Sequence, residues 1–185
     1  MENKKATSRK KKIISELKLD LACGKNRTDG YFGIDIAKGD NVDAVVDLEK
    51  FPWPIKTNSV EDIVCNHYVE HTPDLIAFMD EIYRILKPGG KVKFVAPYYN
   101  SIRCWQDPTH KRAISEATFL YFNKEWMNTN KLSHYNIKSD FDYTYGYDMA
   151  VEWANRSEEA RAFAIKHYMN VINDIHVVLT SKKIK

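Results

Sequence analysis

Residues 60–96 constrain the fold most. Val60 to Cys65 and Lys91 to Ala96 are short apolar runs. Between them Leu75, Ile76, Met79, Ile82, Tyr83 and Leu86 recur at steps of three and four, the spacing of one helix face. Thr72-Pro73-Asp74 supplies a helix start, with Thr as cap, Pro at the first helical position and Asp complementing the dipole. Lys87-Pro88-Gly89-Gly90 ends it. Strand, helix and strand joined by short links predict a parallel sheet with right-handed crossovers.

Three further runs precede this unit. Leu17 to Leu21 leads into Ala22-Cys23-Gly24, while Tyr31 to Ile36 and Val42 to Leu48 end at polar residues, as buried parallel strands do. Beyond Pro97 the chain turns aromatic and irregular through Trp105. A helix is predicted from about Ser115 to Lys124, a strand over Phe141 to Val151, and a helix from Ser157-Glu158-Glu159 to about Met169. A final strand is predicted over Asp174 to Ser181, and the last two strands suit a pair at the sheet edge. No internal repeat and no Gly/Ser/Pro linker divides the chain. One domain over residues 13–185 behind a basic tail, residues 1–12, is therefore expected.

The tail accounts for the formal charge of +3. It holds Lys4, Lys5, Arg9, Lys10, Lys11 and Lys12 against Glu2, and without it 22 cations face 24 anions. Such a tail suits either a polyanion such as nucleic acid or a disordered solubilising arm. No apolar stretch approaches the roughly 18–20 residues that span a bilayer, and the N-terminus lacks the apolar core of a secretory signal. Cys23, Cys65 and Cys104 are odd in number and widely spaced, against both a disulfide framework and a zinc ribbon. A soluble, cytoplasmic protein is the expectation.

In an open α/β sheet, ligands bind beyond the carboxyl ends of the strands, where strand order reverses. Those ends present Asp20 to Gly24, Asp35-Ile36, Asp47-Leu48 and Asn66-His67. Gly24 lets the backbone approach a ligand, and Asp35 can accept both hydroxyls of a ribose. Asp47 and Leu48 offer an acceptor and a flat wall to an adenine. Each residue alone also fits a turn or a cap; their order at successive strand ends is what points to a nucleoside. The missing Gly-x-Gly-x-x-Gly removes the pyrophosphate site of a nicotinamide dehydrogenase.

Together with Leu19-Asp20-Leu21-Ala22-Cys23-Gly24, Gly33-Ile34-Asp35 and Asp47-Leu48, the stretch Asn66-His67-Tyr68-Val69-Glu70-His71 and the run Glu81 to Gly90 carry a resemblance. Over residues 17–100 the chain resembles the class I S-adenosylmethionine-dependent methyltransferases, type 11 group. The resemblance implies S-adenosylmethionine as cofactor, held by Asp20, Ala22, Cys23, Gly24, Asp35, Ile36, Asp47, Leu48, Asn66 and His67. It also implies a doubly wound, Rossmann-like α/β fold with a seven-stranded, mostly parallel sheet and an antiparallel last strand. Two departures stand out. The family usually has glycine where Ala22 stands and further glycines where this chain has Lys25-Asn26-Arg27. Gly24 and Asp35 are only eleven positions apart, too close for a full crossover helix, so the first helix is expected to be truncated to a turn.

Methyl transfer is a direct displacement at a sulfonium carbon, for which in-line holding suffices. An acceptor that carries a proton also needs a base. The segment Tyr98 to Arg112 follows the fifth strand and is the expected acceptor site. His110 is the candidate base and Asp107 its orienter; Arg103 and Arg112 suit an acidic substrate, and Tyr98, Tyr99 and Trp105 are aromatic contacts. A structural loop with His110 satisfied by backbone is the other reading. His67 and His71 are four apart beside Glu70, but the order is not His-Glu-x-x-His, and no metal is expected.

The expected function is methyl transfer to a small-molecule acceptor. An aminopropyl transferase would need a paired-carboxylate pocket that the acceptor segment lacks. A non-catalytic S-adenosylmethionine-binding regulatory module and a nucleic-acid methyltransferase using the basic tail stand as alternatives. Against the latter, Asn66-His67-Tyr68-Val69 is not the Asn/Asp-Pro-Pro-Tyr/Phe signature of adenine amino-group methylation.

Overall fold

The computed structural model describes residues 17–184, so the basic tail, residues 1–12, lies outside the described residues. Its seven strands are β1 (Lys18–Leu21), β2 (Phe32–Asp35), β3 (Ala44–Val45), β4 (Val60–Asn66), β5 (Leu86–Pro97), β6 (Phe141–Met149) and β7 (Ile172–Ser181). They form one sheet in the order β3-β2-β1-β4-β5-β7-β6. Only β7 runs against its neighbours, as expected of the last strand, and β6 pairs with it at the edge. Strand order reverses between β1 and β4, which places a crevice at their carboxyl ends.

Helix α1 (Leu75–Ile85) forms where predicted, but its buried face is turned from the predicted stripe: Met79 and Ile82 are shared, Ile76 is exposed and Leu86 belongs to β5. Its buried face is Phe78, Met79, Ile82 and Ile85, and the Phe78 ring meets Phe94 of β5 at 6.4 Å. Each such side chain contributes roughly 1.5–3 kcal/mol on burial, so packing more than propensity holds the helix. The cap is Asp74, whose carboxylate accepts from Ala77 N at 2.9 Å, and not the predicted Thr72. His71 N and Thr72 N both donate to the Tyr68 carbonyl, so a turn occupies the chain until Pro73. The predicted terminator, Lys87 to Gly90, already belongs to β5. Leu86 pairs with Val60, and a Cβ on Gly90 would lie 3.1 Å from the Val60 carbonyl. Glycine there lets the helix pass into the strand without a loop.

The crossovers that connect β1, β2, β3 and β4 contain no helix among the described residues. Residues 22–31 make turns instead, with Asn26 N donating to the Cys23 carbonyl and Thr28 N to Asp20 Oδ2 at 2.6 Å. The predicted strand Val42 to Leu48 shortens to Ala44–Val45. Asp43 turns its carboxylate to Gly33 N and Asp47 to Glu49 N, local bonds that compete with a longer ladder. Lys93 alternates with buried Phe94 and faces the other side of the sheet, where it meets Asp62 at 3.0 Å. Asp62 also accepts from Tyr31 Oη at 2.6 Å, so polar contacts occupy that side.

The second half departs further from the sequence pattern. A short helix α2 (Ile102–Gln106) follows β5, and the predicted helix over Ser115 to Lys124 splits into a 3-10 segment (Glu116–Phe122) and α3 (Lys124–Thr129). Asn123 makes the break: its Oδ1 accepts from Trp126 N at 2.9 Å while its Nδ2 donates to the Phe141 carbonyl at 2.7 Å. Between β6 and β7 come α4 (Val151–Ala154) and α5 (Glu158–His167), the latter capped by Ser157 as predicted. All three cysteines are free and buried. Among the described residues no helix is long and apolar enough to cross a membrane.

Candidate active site

The turn after β1 is held by carboxylates. Ala22 has φ +56° and Gly24 φ +53°, a left-handed conformation that costs a residue with a Cβ roughly 1–2 kcal/mol. The glycine expected at position 22 thus has a backbone reason. Gly24 N donates to Asp35 Oδ2 at 2.9 Å and Ala37 N to Oδ1 at 3.0 Å, and each oxygen keeps a lone pair. A Cβ on Gly33 would collide with the Asn41 carbonyl, the Arg27 side chain and Cys23 Sγ. Asp43 accepts from Gly33 N at 2.7 Å and Arg27 Nη1 at 2.5 Å, which holds its carboxyl below the usual range. Lys50 and Glu49 N do the same for Asp47.

An open cavity of about 250 Å³ is lined by Ala22, Asp35, Ile36, Asp47, Leu48, Glu49 and Tyr68. Five of the residues expected at the cofactor meet there; Glu49 and Tyr68 were not foreseen. Tyr68 enters because its ring packs on Phe78 at 5.3 Å, a contact across the chain that spacing does not show. Carboxylate acceptors with apolar faces from Ile36, Leu48 and Tyr68 match a nucleoside's hydroxyls and base. Five other expected residues do not line the cavity. Asp20 is buried and holds Thr28 N. Cys23 is buried with Sγ 3.5 Å from the Asn41 carbonyl. Gly24 shapes the turn, and Asn66 and His67 are exposed at the end of β4. His67 Nδ1 lies 3.4 Å from Glu70 Oε1, and that carboxylate raises the histidine's pKa.

The acceptor segment is tied to the chain after β4. Lys111 N donates to the Glu70 carbonyl at 2.8 Å and Arg112 Nη2 to the Pro73 carbonyl at 3.0 Å. These contacts bring the His110 ring to 4.6 Å from that of His71. His110 Nδ1 lies 2.8 Å from the Cys104 carbonyl, which can only accept, so Nδ1 carries the proton and Nε2 keeps its lone pair. The backbone therefore satisfies one nitrogen and leaves the other free.

Asp107 does not orient His110. Its Oδ2 is 3.9 Å from His110 Nε2, beyond hydrogen-bond range. Thr109 Oγ1 and N donate to Asp107 Oδ1 at 2.7 and 2.8 Å, which lowers the carboxyl's pKa. The same Thr109 Oγ1 is 3.0 Å from His71 Nδ1, so Asp107 acts on His71 through Thr109.

A second open cavity, about 460 Å³, is lined by Cys104, Trp105, Asp107, Pro108, His110, Lys111, Arg112 and Ala113. Of the expected substrate contacts, Trp105 and Arg112 are at this cavity. Arg112 Nη1 is buried without a partner, and burial lowers the guanidinium's pKa. Tyr99 does not line it; it is exposed, and its carbonyl accepts from Trp105 Nε1 at 3.0 Å. Arg103 pairs with Asp174 at 2.6 Å. Tyr98, expected to touch the substrate, does not line this cavity. It is 2% exposed, donates its hydroxyl to Glu116 and packs on Tyr147, so it belongs to the core wall, and burial pushes its pKa up.

Comparison with known proteins follows the same division. Residues 19–94 match the methyltransferase domain family, type 11. None of the curated proteins compared with the chain matches it. Among solved structures, a S-adenosylmethionine-dependent methyltransferase from Archaeoglobus fulgidus superposes with a TM-score of 0.62 at 17% identity, covering 89% of this chain and 85% of that one. A second, from Mesorhizobium loti, gives 0.54 at 12% identity, covering 88% and 90%. The geranyl diphosphate C-methyltransferase from Streptomyces coelicolor, solved with S-adenosyl-L-homocysteine, gives 0.52 at 14% identity, covering 92% and 76%. The matched stretch includes every residue that lines the first cavity, and this chain is an S-adenosylmethionine-dependent methyltransferase whose residues 19–94 are similar to the type 11 group.

Proposed function

We propose that the acceptor is a small molecule whose protonated nucleophile is activated at His110 Nε2. The observation that carries this reading is that Nδ1 is fixed on the Cys104 carbonyl while His110 lines the second cavity with Nε2 unengaged by a hydrogen bond. Bound S-adenosylmethionine supplies an electrophilic methyl group for direct in-line displacement. Asp35 and Asp47 accept from its hydroxyl and amino groups, and Ile36, Leu48 and Tyr68 enclose its flat base.

At the other end, a cavity of about 460 Å³ suits a small acceptor. Arg112, with Nη1 lacking a partner, and Lys111 favour an acceptor with an anionic group. Trp105, 64% exposed, offers it an aromatic wall.

The test is release of S-adenosylhomocysteine across a panel of small hydroxyl- and amine-bearing acids, with cofactor binding followed by calorimetry. His110→Gln is expected to lower turnover roughly 10²- to 10³-fold, the range of a lost acid–base group, at unchanged cofactor affinity. Unchanged turnover would remove His110 from the chemistry. Absence of cofactor binding in the unmodified protein would sink the whole reading.

A further inference from the structure

A buried carboxylate with no hydrogen bond stands beside two histidines whose lone pairs are free. Glu70 is 1% exposed, and neither Oε1 nor Oε2 has a hydrogen-bond partner. Its cationic neighbour, the half-exposed His67, forms a long ion pair with Oε1 at 3.4 Å, and Oε2 has no partner. Burying a carboxylate in this way is costly unless something binds it. Donor atoms of Glu70, His71 and His110 all lie within 4.8 Å of one another.

The tautomers follow from the surroundings. Thr109 gives its one hydroxyl proton to Asp107, so it can only accept from His71 Nδ1. The Cys104 carbonyl likewise accepts from His110 Nδ1. In both rings Nε2 is therefore the unprotonated nitrogen. A carboxylate reached through a hydroxyl, and a backbone carbonyl, are the outer contacts that orient imidazole ligands around a metal.

We propose that Glu70, His71 and His110 bind a divalent transition metal such as zinc, with the acceptor's hydroxyl in its open position. Two imidazoles and one carboxylate with one position free is a catalytic zinc set. The metal site rests on these side chains alone; the acceptor's place on it rests on the methyl-transfer reading above. Tyr68, two residues before Glu70, lines the cofactor cavity, and His110 lines the acceptor cavity. The cluster thus meets the acceptor cavity through His110 and lies two residues along the chain from a wall of the other.

On this reading His110 Nε2 is a metal ligand and takes no proton itself: the metal replaces it as the group that activates the nucleophile, which narrows the acceptor to an oxygen nucleophile. The metal lowers the pKa of the bound hydroxyl, whose proton leaves to water. An oxygen electron pair forms the new bond to the methyl carbon while the carbon–sulfur pair stays on sulfur. The products are a methyl ether and S-adenosylhomocysteine.

The full chain, labelled with ¹⁵N in its six histidines, is titrated with Zn²⁺ and followed by NMR of the imidazole nitrogens. One equivalent is expected to shift Nε2 of His71 and His110 and to leave His134, His167 and His176 in place. His71→Gln and His110→Gln are each expected to weaken Zn²⁺ binding by about 100-fold or more. No shift at one equivalent, shifts confined to other histidines, or both variants binding Zn²⁺ as tightly as the parent overturns the site. Asp35→Ala separates this proposal from the cofactor reading, because it is expected to lose S-adenosylmethionine binding and keep both Zn²⁺-induced shifts.

Discussion

The two cavities are built by opposite means. At the cofactor end the carboxylates are engaged by groups near in sequence: Asp35 by Gly24 N and Ala37 N, Asp43 by Gly33 N and Arg27, Asp47 by Glu49 N and Lys50. At the acceptor end the contacts join remote segments, with Lys111 on Glu70, Arg112 on Pro73 and Thr109 on His71. Buried polar groups there lack well-formed hydrogen bonds, among them the oxygens of Glu70 and Nη1 of Arg112. The first end is held in a fixed shape by these bonds, as the proposed nucleoside site requires. The second keeps unused bonding capacity, on which the proposed acceptor and metal sites rest.

If the cofactor end is rigid, Gly33→Ala has the largest effect. Its Cβ would meet backbone at Asn41, which a side-chain shift cannot relieve. A loss of about 3 kcal/mol or more is expected in thermal or denaturant unfolding. A loss below about 1 kcal/mol would mean that this turn yields as readily as the acceptor loop.

Asp43→Asn comes next, because it weakens the bonds to Gly33 N and Arg27 without a steric clash. About 1 kcal/mol is expected. The folded pKa of Asp43 lies below its ordinary value of 3.8, so its contribution is present above that pH and is lost as pH falls through the folded value. Urea midpoints of the two proteins should therefore converge as pH falls below 3.8. A difference that persists under more acidic conditions would assign the effect to packing.

Ala22→Gly tests the same turn in the stabilising direction. Relief of the left-handed alanine, offset by the entropy of an added glycine, predicts a gain of up to about 1 kcal/mol. Lower stability would show that the alanine methyl packs usefully.

The smallest effect on stability is expected at the acceptor end. Thr109→Val breaks the link from Asp107 to His71 and should cost only about 0.5–1 kcal/mol. Cofactor affinity, measured by calorimetry, should not change. A fall in that affinity would join the two ends and break the comparison.

The same contrast explains what could be read in advance. Helix α1, the strand over Lys91 to Ala96 and the other short apolar strands depend on neighbours a few residues away, and they appear in the structure with shifts: β5 begins at Leu86, and α1 buries Phe78 and Ile85 where Ile76 was expected. The Gly24–Asp35 spacing likewise forecasts a turn in place of a crossover helix. Where local bonds compete, the pattern misleads. Asp74 takes the cap from Thr72 because the turn from Tyr68 runs on, and Asp43 and Asp47 cut a predicted strand down to Ala44–Val45.

By itself the sequence determined the sheet, its main helix and the succession of carboxylates at the strand ends, because periodicity and strand-end positions are local properties of the chain. Only the tertiary structure decided that Asp107 serves His71 and not His110, that Tyr98 is core, and that Glu70 is buried beside two histidines. Those facts depend on how the 107–112 segment docks against residues 70–73. That docking is set by hydrogen bonds across some forty residues of sequence, and no repeat or spacing in the chain records it.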